Sequence, residues 1–405
     1  MSQYSDRGAG APGVSNDNDA RVAIQNDLDT TLIVEAAAGT GKTTELVNRI
    51  LAVLATGRAR IEEIVAVTFT EKAAGELKLR LREKLELERA TGTEIVRLDA
   101  ALAKLEEAHV NTIHGFCADL LRERPVEARV DPIFRVLTQP EADRLYARAF
   151  DGWLQQALKD PPEALRRALR RTSMPTFGER EQDGPVDRLR RAGRELAEWR
   201  SFPHPWTRPA FDRAARIARH VDALHRLAEL TSNPINPHDN FFYDTDAVRR
   251  VSRQIALEQA FGHEDLDGWE ARLVDLTRDR GFSRTRKGSG YKFSQTTTRA
   301  DVLNARDALL VELQQFRLDA DADLAASLQG VLAAATERYQ ALKQQSGALD
   351  FADLLVRARD LIRDNESIRG YLQRKFRRVF VDEFQDTDPV QADILLLLAG
   401  DAPGK

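Results

Sequence analysis

Ala36-Ala37-Ala38-Gly39-Thr40-Gly41-Lys42-Thr43-Thr44 is the stretch on which the fold turns. It follows a short apolar run, Leu32-Ile33-Val34-Glu35, and precedes apolar positions at Leu46, Val47, Ile50, Leu51 and Leu54. The first reads as a buried strand, the second as one face of a helix. Gly39 and Gly41 let the backbone between them curl so that successive N–H groups point at one anion. The start of a helix adds the positive end of its dipole. A lysine there reaches the β- and γ-phosphates of a nucleotide, and the hydroxyl of Thr43 is a Mg²⁺ ligand. The segment departs from the usual phosphate-binding loop at its first position, where Ala36 replaces Gly. The plain alternative is an ordinary small-residue turn between strand and helix. The Gly-x-Gly-Lys-Thr core in a strand–loop–helix setting weighs against it.

Outward from this loop, strand and helix signals alternate. Ile64 to Phe69 is a second apolar, β-branched run, and Ala73 to about Arg89 carries Leu77, Leu81 and Leu85 at helical spacing. His109 to His114 is a third strand candidate, with a helix after it through Leu121. Alternation of this kind predicts an α/β fold with a parallel sheet. From about Gln139 to Ser346 the periodicity is helical instead, and Arg, Ala and Leu dominate. Two stretches there, Thr172–Pro209 and Gly281–Thr298, are rich in Pro, Gly, Ser or Thr and read as loops or mobile arms. Past Ser346 the α/β character returns, with a helix over Ala352–Asn365, a strand over Arg378–Val381 and a helix over Gln391–Ala399. The expectation is one P-loop NTPase domain in two segments, 18–138 and 346–405, interrupted by a large, mainly helical inserted domain, 139–345, and preceded by a flexible N-terminus, 1–17.

The last strand delivers the second chemical element. Val379-Phe380-Val381 runs into Asp382-Glu383-Phe384-Gln385-Asp386-Thr387. Two adjacent carboxylates thus stand at the C-terminal edge of a parallel sheet, where ligands of such sheets bind. Asp382 is the candidate Mg²⁺ ligand, Glu383 the candidate general base toward an attacking water, and Gln385 a candidate sensor of the γ-phosphate. A solvated acidic strand end is the bland reading, and the phosphate loop upstream argues against it.

Composition bounds the rest. The chain has 405 residues, 42% hydrophobic and 31% charged, a globular profile of two or three domains. With 60 Lys and Arg against 64 Asp and Glu, the net charge is −4, so any nucleic-acid site must be a local stripe. A single cysteine, Cys117, excludes an intramolecular disulfide. No apolar run approaches the ~20 residues that cross a bilayer. The polar N-terminus lacks a signal-peptide core, and a cytoplasmic protein without membrane contact is expected.

With these residues in hand, the sequence resembles the UvrD/Rep-type superfamily 1 DNA helicases. Asp382–Thr387 is close to the family's second motif, and Ala-x-x-Gly-x-Gly-Lys-Thr at 36–43 matches its form of the phosphate loop, Ala36 included. Thr68-Phe69-Thr70-Glu71-Lys72-Ala73-Ala74 resembles Thr-Phe-Thr-Asn-Lys-Ala-Ala. Thr112-Ile113-His114-Gly115-Phe116 resembles Thr-x-His-Ser-Phe, and Asp350-Phe351-Ala352-Asp353-Leu354-Leu355 resembles Asp-Phe-x-Asp-Leu-Leu. The 340 residues from Lys42 to Asp382 are more than simple Rep-like enzymes have, and look more like the helicase–nuclease subunits of the AddA/RecB type. Two departures stand out. The family's adenine-reading Gln, about 22 residues before the lysine, is Ala20 here, with Gln25 out of register. The family's later motifs, the arginines they bring to the γ-phosphate and the second motor domain do not occur in these 405 residues.

The resemblance implies a RecA-like ATP-binding motor domain that uses ATP and Mg²⁺ and acts on single-stranded and duplex DNA in repair and recombination, alongside a nuclease or helicase partner subunit. By itself, this chain is expected to bind nucleotide and single strands weakly, with little ATP hydrolysis and no unwinding. It further implies DNA contacts at Thr68, Phe69, Thr70, His114 and Phe116. For Phe69 core packing competes with that role, and for His114 a capped structural histidine does. A basic segment, Arg280, Arg284, Arg286, Lys287, Lys292 and Arg299 with Phe282, Tyr291 and Phe293, reads either as a duplex-binding arm or as a solvated loop.

Overall fold

A computed structural model describes residues 17–37, 39–91, 94–171, 184–201, 204–284, 286 and 288–400. It is a mixed α/β structure with a small parallel sheet and mostly helices. The chain divides into two compact units. One takes the described residues up to Leu137 and from Gly347 on, and the other spans Thr138–Ser346.

The first unit is organised by strands β1 (Ile64–Thr68), β2 (His109–Thr112), β3 (Arg135–Val136), β4 (Ala348–Leu349) and β5 (Arg378–Val381). A three-stranded parallel sheet has the order β2-β1-β5, and β3 pairs with β4 in a second parallel ladder. Val65 sits opposite His109 on one side and Val379 on the other. All five residues of β1 are buried, as a central parallel strand requires. Alternation sorts its side chains: Ile64 and Ala66 join one core with Val47, Ile50, Leu77 and Phe380, while Val65 and Val67 join another with Ile113, Phe116, Leu354 and Ile394. Helices α1 (Asp17–Asn26), α2 (Lys42–Ala55), α3 (Glu71–Thr91), α4 (Ile113–Glu123), α5 (Phe351–Asp364) and α6 (Pro389–Ala399) belong to this unit.

The strand expected over Leu32–Glu35 is not formed. Residues 31–37 have no regular structure, Ile33 is 85% exposed, and among the described residues β5 is paired along one edge only. Side chains anchor the start of the segment: Arg49 donates to the Thr30 carbonyl at 2.9 Å, and Arg58 and Arg378 pair with Asp29. A three-residue apolar run has little area to bury, so tertiary contacts rather than propensity decide whether it pairs.

The second unit is helical among its described residues. The helix Arg299–Gln345 runs through two cores, giving Leu309, Leu313, Phe316 and Ala320 to one and Leu332, Ala335 and Tyr339 to the other. Arg167, almost wholly buried, bonds Glu270 at 3.1 Å and Asp323 at 2.6 Å. Such a network has to be complete, since losing one partner strands a buried charge.

The first loop expectation in this unit needs correction; in the second, the described residues from Arg284 to Thr298 form no helix or strand, as a loop should. Pro185–Glu198 is a helix, with Gly184 as its N-cap and Pro185 at the first helical position, where a missing N–H costs nothing. Residues 172–183, in the same stretch, lie outside the described residues, as do Met1–Asn16 of the expected flexible N-terminus. The basic segment is largely an irregular loop, its Arg280, Arg284, Arg286 and Lys292 exposed, but it is pinned to the helical unit at several points. Phe282 and Phe293 are core residues, Arg299 is buried against Asp239 at 2.6 Å, and Arg286 pairs with Asp244 at 2.8 Å. Tyr291 alone of its three aromatics is exposed. Lys287 lies outside the described residues.

Candidate nucleotide site

The phosphate loop has the backbone its glycines foretell. Gly39 and Gly41 lie in the left-handed region at φ +80° and +94°, where a Cβ is strained. Between them Thr40 folds back, its N–H and hydroxyl both donating to the Ala37 carbonyl, at 3.4 and 2.7 Å. Helix α2 starts at once, capped by Gly41 with no side-chain hydrogen bond, so no side chain competes there for an incoming anion. Ala36, Ala37, Gly39, Thr40 and Thr44 are exposed, and Gly41, Lys42 and Thr43 are half-buried. Ala38 lies outside the described residues.

The strand-end carboxylates arrive at the same place. The Asp382 N–H donates to Val67 O at 2.9 Å, carrying the β1–β5 ladder one residue past β5. Thr43 Oγ1 then stands 3.5 Å from Asp382 Oδ2, and Lys42 Nζ stands 3.4 Å from Glu383 Oε2. Residues some 340 apart in sequence thus form one cluster. Glu383 adopts φ 57°, ψ 50°, a left-handed conformation that is costly for a side chain with a Cβ. Gln385 Nε2 donates to its Oε2.

The two carboxylates are driven apart electrostatically. Burial, then the charge of Glu383, pushes the Asp382 carboxyl above the usual aspartate range, and the Thr43 hydrogen bond and Lys42 only partly offset this. The hydrogen bond from Gln385, followed by that from Lys42, holds Glu383 below the ordinary glutamate range. A hydroxyl and a carboxylate side by side are hard oxygen donors of the kind Mg²⁺ takes, and a cation there would relieve the repulsion that raises Asp382. The residues present therefore fit the ion. Elsewhere among the described residues no cluster of His, Cys, Asp and Glu could hold a metal.

One contact set was not legible in the sequence. Arg21 on α1 donates to the Thr40 carbonyl at 2.9 Å and to Glu45 Oε1 at 2.7 Å. Gln25 donates to Glu45 Oε2 at 2.8 Å, and Asn48 donates to the same oxygen at 3.4 Å. The only sequence signal is that Arg21 and Gln25 lie four apart, on one face of a helix.

The expected nucleic-acid residues separate. Phe69, just past the end of β1, is 62% exposed, which removes the core reading for it. Thr68 is buried and donates to the Thr70 carbonyl at 3.1 Å, while the exposed Thr70 accepts from the Ala73 N–H at 3.1 Å and caps α3. His114 is half-buried, its ring edge-on to Phe351 at 5.2 Å, and burial lowers its pKa. Phe116 is a correction: it is 1% exposed, packed edge-on against Phe376 at 5.4 Å, and offers no surface to a base. Had the segment stayed extended, 114 and 116 would share a face. Helix α4 begins at Ile113, so they point about 200° apart. A shallow surface depression is lined by Thr68, Phe69, Asp382, Glu383 and Gln391 among others, so the exposed ring and the carboxylates share one face.

The model of the UvrD/REP helicase N-terminal domain family matches residues 17–403. The chain is similar to an ATP-dependent helicase/nuclease subunit of Syntrophomonas wolfei subsp. wolfei, 25% identical, covering 91% of this chain and 31% of the relative. It is similar to proteins of the same name from Oceanobacillus iheyensis, at 23% identity, and Bacillus pumilus, at 26%, each covering 91% of this chain and 32% of the relative. The chain thus spans about a third of the length of these curated relatives.

Proposed function

Because the chain belongs to the UvrD/REP helicase N-terminal domain family, we propose that it is the ATP-binding motor domain of a DNA helicase or translocase. In this reading the first unit is a RecA-like P-loop NTPase domain, with the helical unit 138–346 inserted in it. The observation that carries the reading is the convergence of Lys42 and Thr43 with Asp382 and Glu383 across the whole intervening chain. Helicase N-terminal domains couple nucleotide to DNA, and the exposed Phe69 beside the carboxylates supplies a surface on which a base stacks. DNA, single-stranded and duplex, is the proposed partner. The relatives are named as one subunit of a helicase/nuclease, which also supports a nuclease or helicase partner chain. No helix among the described residues is long and apolar enough to cross a membrane.

The roles follow from position. The loop N–H groups from Gly39 to Thr44 and the Lys42 ammonium bind the phosphates. Thr43 and Asp382 would hold Mg²⁺, which when bound neutralises phosphate charge. Glu383, kept ionised, accepts the proton of the attacking water, and Gln385 fixes the orientation of that carboxylate. Binding of Mg²⁺–ATP to the wild-type chain and to Lys42→Ala tests this, because charge-assisted phosphate contacts are among the strongest available. The variant is expected to lose measurable binding. Equal affinity of the two proteins would sink the assignment.

A further inference from the structure

We propose that Arg21 is a positioning residue of the nucleotide site: it holds the phosphate loop open to a triphosphate by neutralising Glu45 and clamping the Thr40 carbonyl. This deepens the proposed function and rests on that reading of the loop.

Glu45 lies in the first turn of α2, directly beyond Lys42, Thr43 and Thr44, and is almost fully buried. A carboxylate there occupies the positive end of the same helix that would receive the phosphates. Left bare, it would repel a triphosphate in a setting where water screens little. It is not bare. It accepts hydrogen bonds from Arg21, Gln25 and Asn48. Of the three partners Arg21 alone is a cation, and its Nη1 stands 2.7 Å from Glu45 Oε1.

The second arm of the same guanidinium acts on the loop backbone. Nη2 donates to the carbonyl of Thr40, the residue between the two left-handed glycines. A carbonyl tied outward to Arg21 cannot turn inward, where it would face the phosphates with the wrong polarity. Nη1 also lies 3.9 Å from where a Cβ on Gly41 would stand, so the guanidinium flanks the loop at the point where α2 begins. One planar fork thus links helix α1, the loop carbonyl and the helix charge, a geometry that a lysine ammonium cannot reproduce.

The test is a double-mutant cycle on Mg²⁺–ATP affinity, by calorimetric titration of the full chain. Thermal melting of each variant checks folding. Arg21→Ala is expected to bind at least tenfold more weakly than wild type, and Arg21→Lys to recover only part of the loss. Glu45→Gln should bind about as well as wild type. Arg21→Ala with Glu45→Gln should recover part of the affinity, because the charge that needed cancelling is gone, and the remaining deficit measures the lost contact to the Thr40 carbonyl. A merely structural role predicts no such rescue. The same series with ADP and with AMP should show a loss that shrinks as phosphates are removed. Wild-type affinity in Arg21→Ala, or a double variant as weak as Arg21→Ala, overturns the inference while leaving the nucleotide site intact. A wild-type chain that fails to bind Mg²⁺–ATP, with Lys42→Ala no different, overturns the nucleotide reading itself and the inference with it.

Discussion

Lys42 Nζ and Glu383 Oε2 are 3.4 Å apart, so the cation of the phosphate loop and the carboxylate at the end of β5 neutralise each other. Both side chains keep substantial exposure, which limits such a pair to about 0.2–1 kcal/mol. Under the proposed function a triphosphate would displace Glu383 from Lys42 at small cost, and the displaced carboxylate would be left beside the phosphates in the place proposed for a general base.

Glu383→Gln should accordingly bind Mg²⁺–ATP as tightly as wild type or up to about fivefold more tightly, since the pair to be broken is worth ~1 kcal/mol at most. Any phosphate release should fall by roughly 10²–10⁴ with the loss of the base. Titration and single-turnover assays read the two effects separately, and weaker binding by the variant would rule out competition for Lys42.

Phe69 and Phe116 should respond oppositely to truncation. Phe69→Ala removes an exposed ring, so single-strand affinity should drop by about 1–3 kcal/mol, the usual worth of a stacked base, with stability changed by less than about 0.5 kcal/mol. Phe116→Ala opens a cavity in the core and should cost about 3–5 kcal/mol of stability. Filter binding to an oligonucleotide and denaturant melts distinguish the pair. A destabilised Phe69→Ala with unchanged DNA affinity would return Phe69 to the core reading.

His220, in the helix Arg213–Leu230, is buried with neither ring nitrogen hydrogen-bonded, against the Phe316 ring at 4.9 Å. The Glu312 carboxylate, 3.7 Å away, favours its protonation, and Arg216 and Arg219 oppose it, but burial is the largest effect and lowers the pKa. The folded state thus binds its proton less readily than the unfolded chain does. Stability is full above the ordinary histidine range, about 6.5, and falls as the pH drops below it, because only the unfolded form protonates freely. Melting temperatures between pH 8 and 5 should show that decline, and His220→Leu should reduce it, the rest coming from His109 and His114, which burial lowers in the same direction.

Gly330 is the one glycine within the long helix Arg299–Gln345, exposed, with nothing within 4 Å of where a Cβ would stand. Gly330→Ala should raise stability by about 0.5–1 kcal/mol through helix propensity alone. A denaturant midpoint that fails to rise would contradict the helix-propensity argument at this position.

Contiguous chemistry was the legible part. Lys42 and Thr43 sit within one nine-residue motif, and Asp382 and Glu383 follow a strand whose limits, Arg378–Val381, the apolar run marks unaided. What could not be read depends on tertiary partners. Nothing local says that Leu32–Glu35 stays unpaired, or that Arg21 meets a carboxylate 24 residues away. Phe116 is singled out by its place in a motif, and a motif does not say which way a side chain points: β2 ends at Thr112, two residues before the expected end of the strand, and the helix that starts at Ile113 turns Phe116 into the core. In the basic segment, charge counting could not anticipate that Asp239 and Asp244, from some forty to sixty residues upstream, take up Arg299 and Arg286.

The sheet order β2-β1-β5 has a consequence for synthesis on the ribosome. Strands β1 and β2 emerge early, but β5, which covers the other edge of β1, follows about 270 residues after β2, a delay of roughly 13–54 s at 5–20 residues per second. The helical unit, Thr138–Ser346, is by contrast one unbroken stretch and has all its partners as soon as its last turn is out. It can be finished while the first unit is still half a sheet with its apolar flank open. Ribosome-bound chains should therefore call on holding chaperones through β1 and β2, and be released only when Val379-Phe380-Val381 arrives to close the edge.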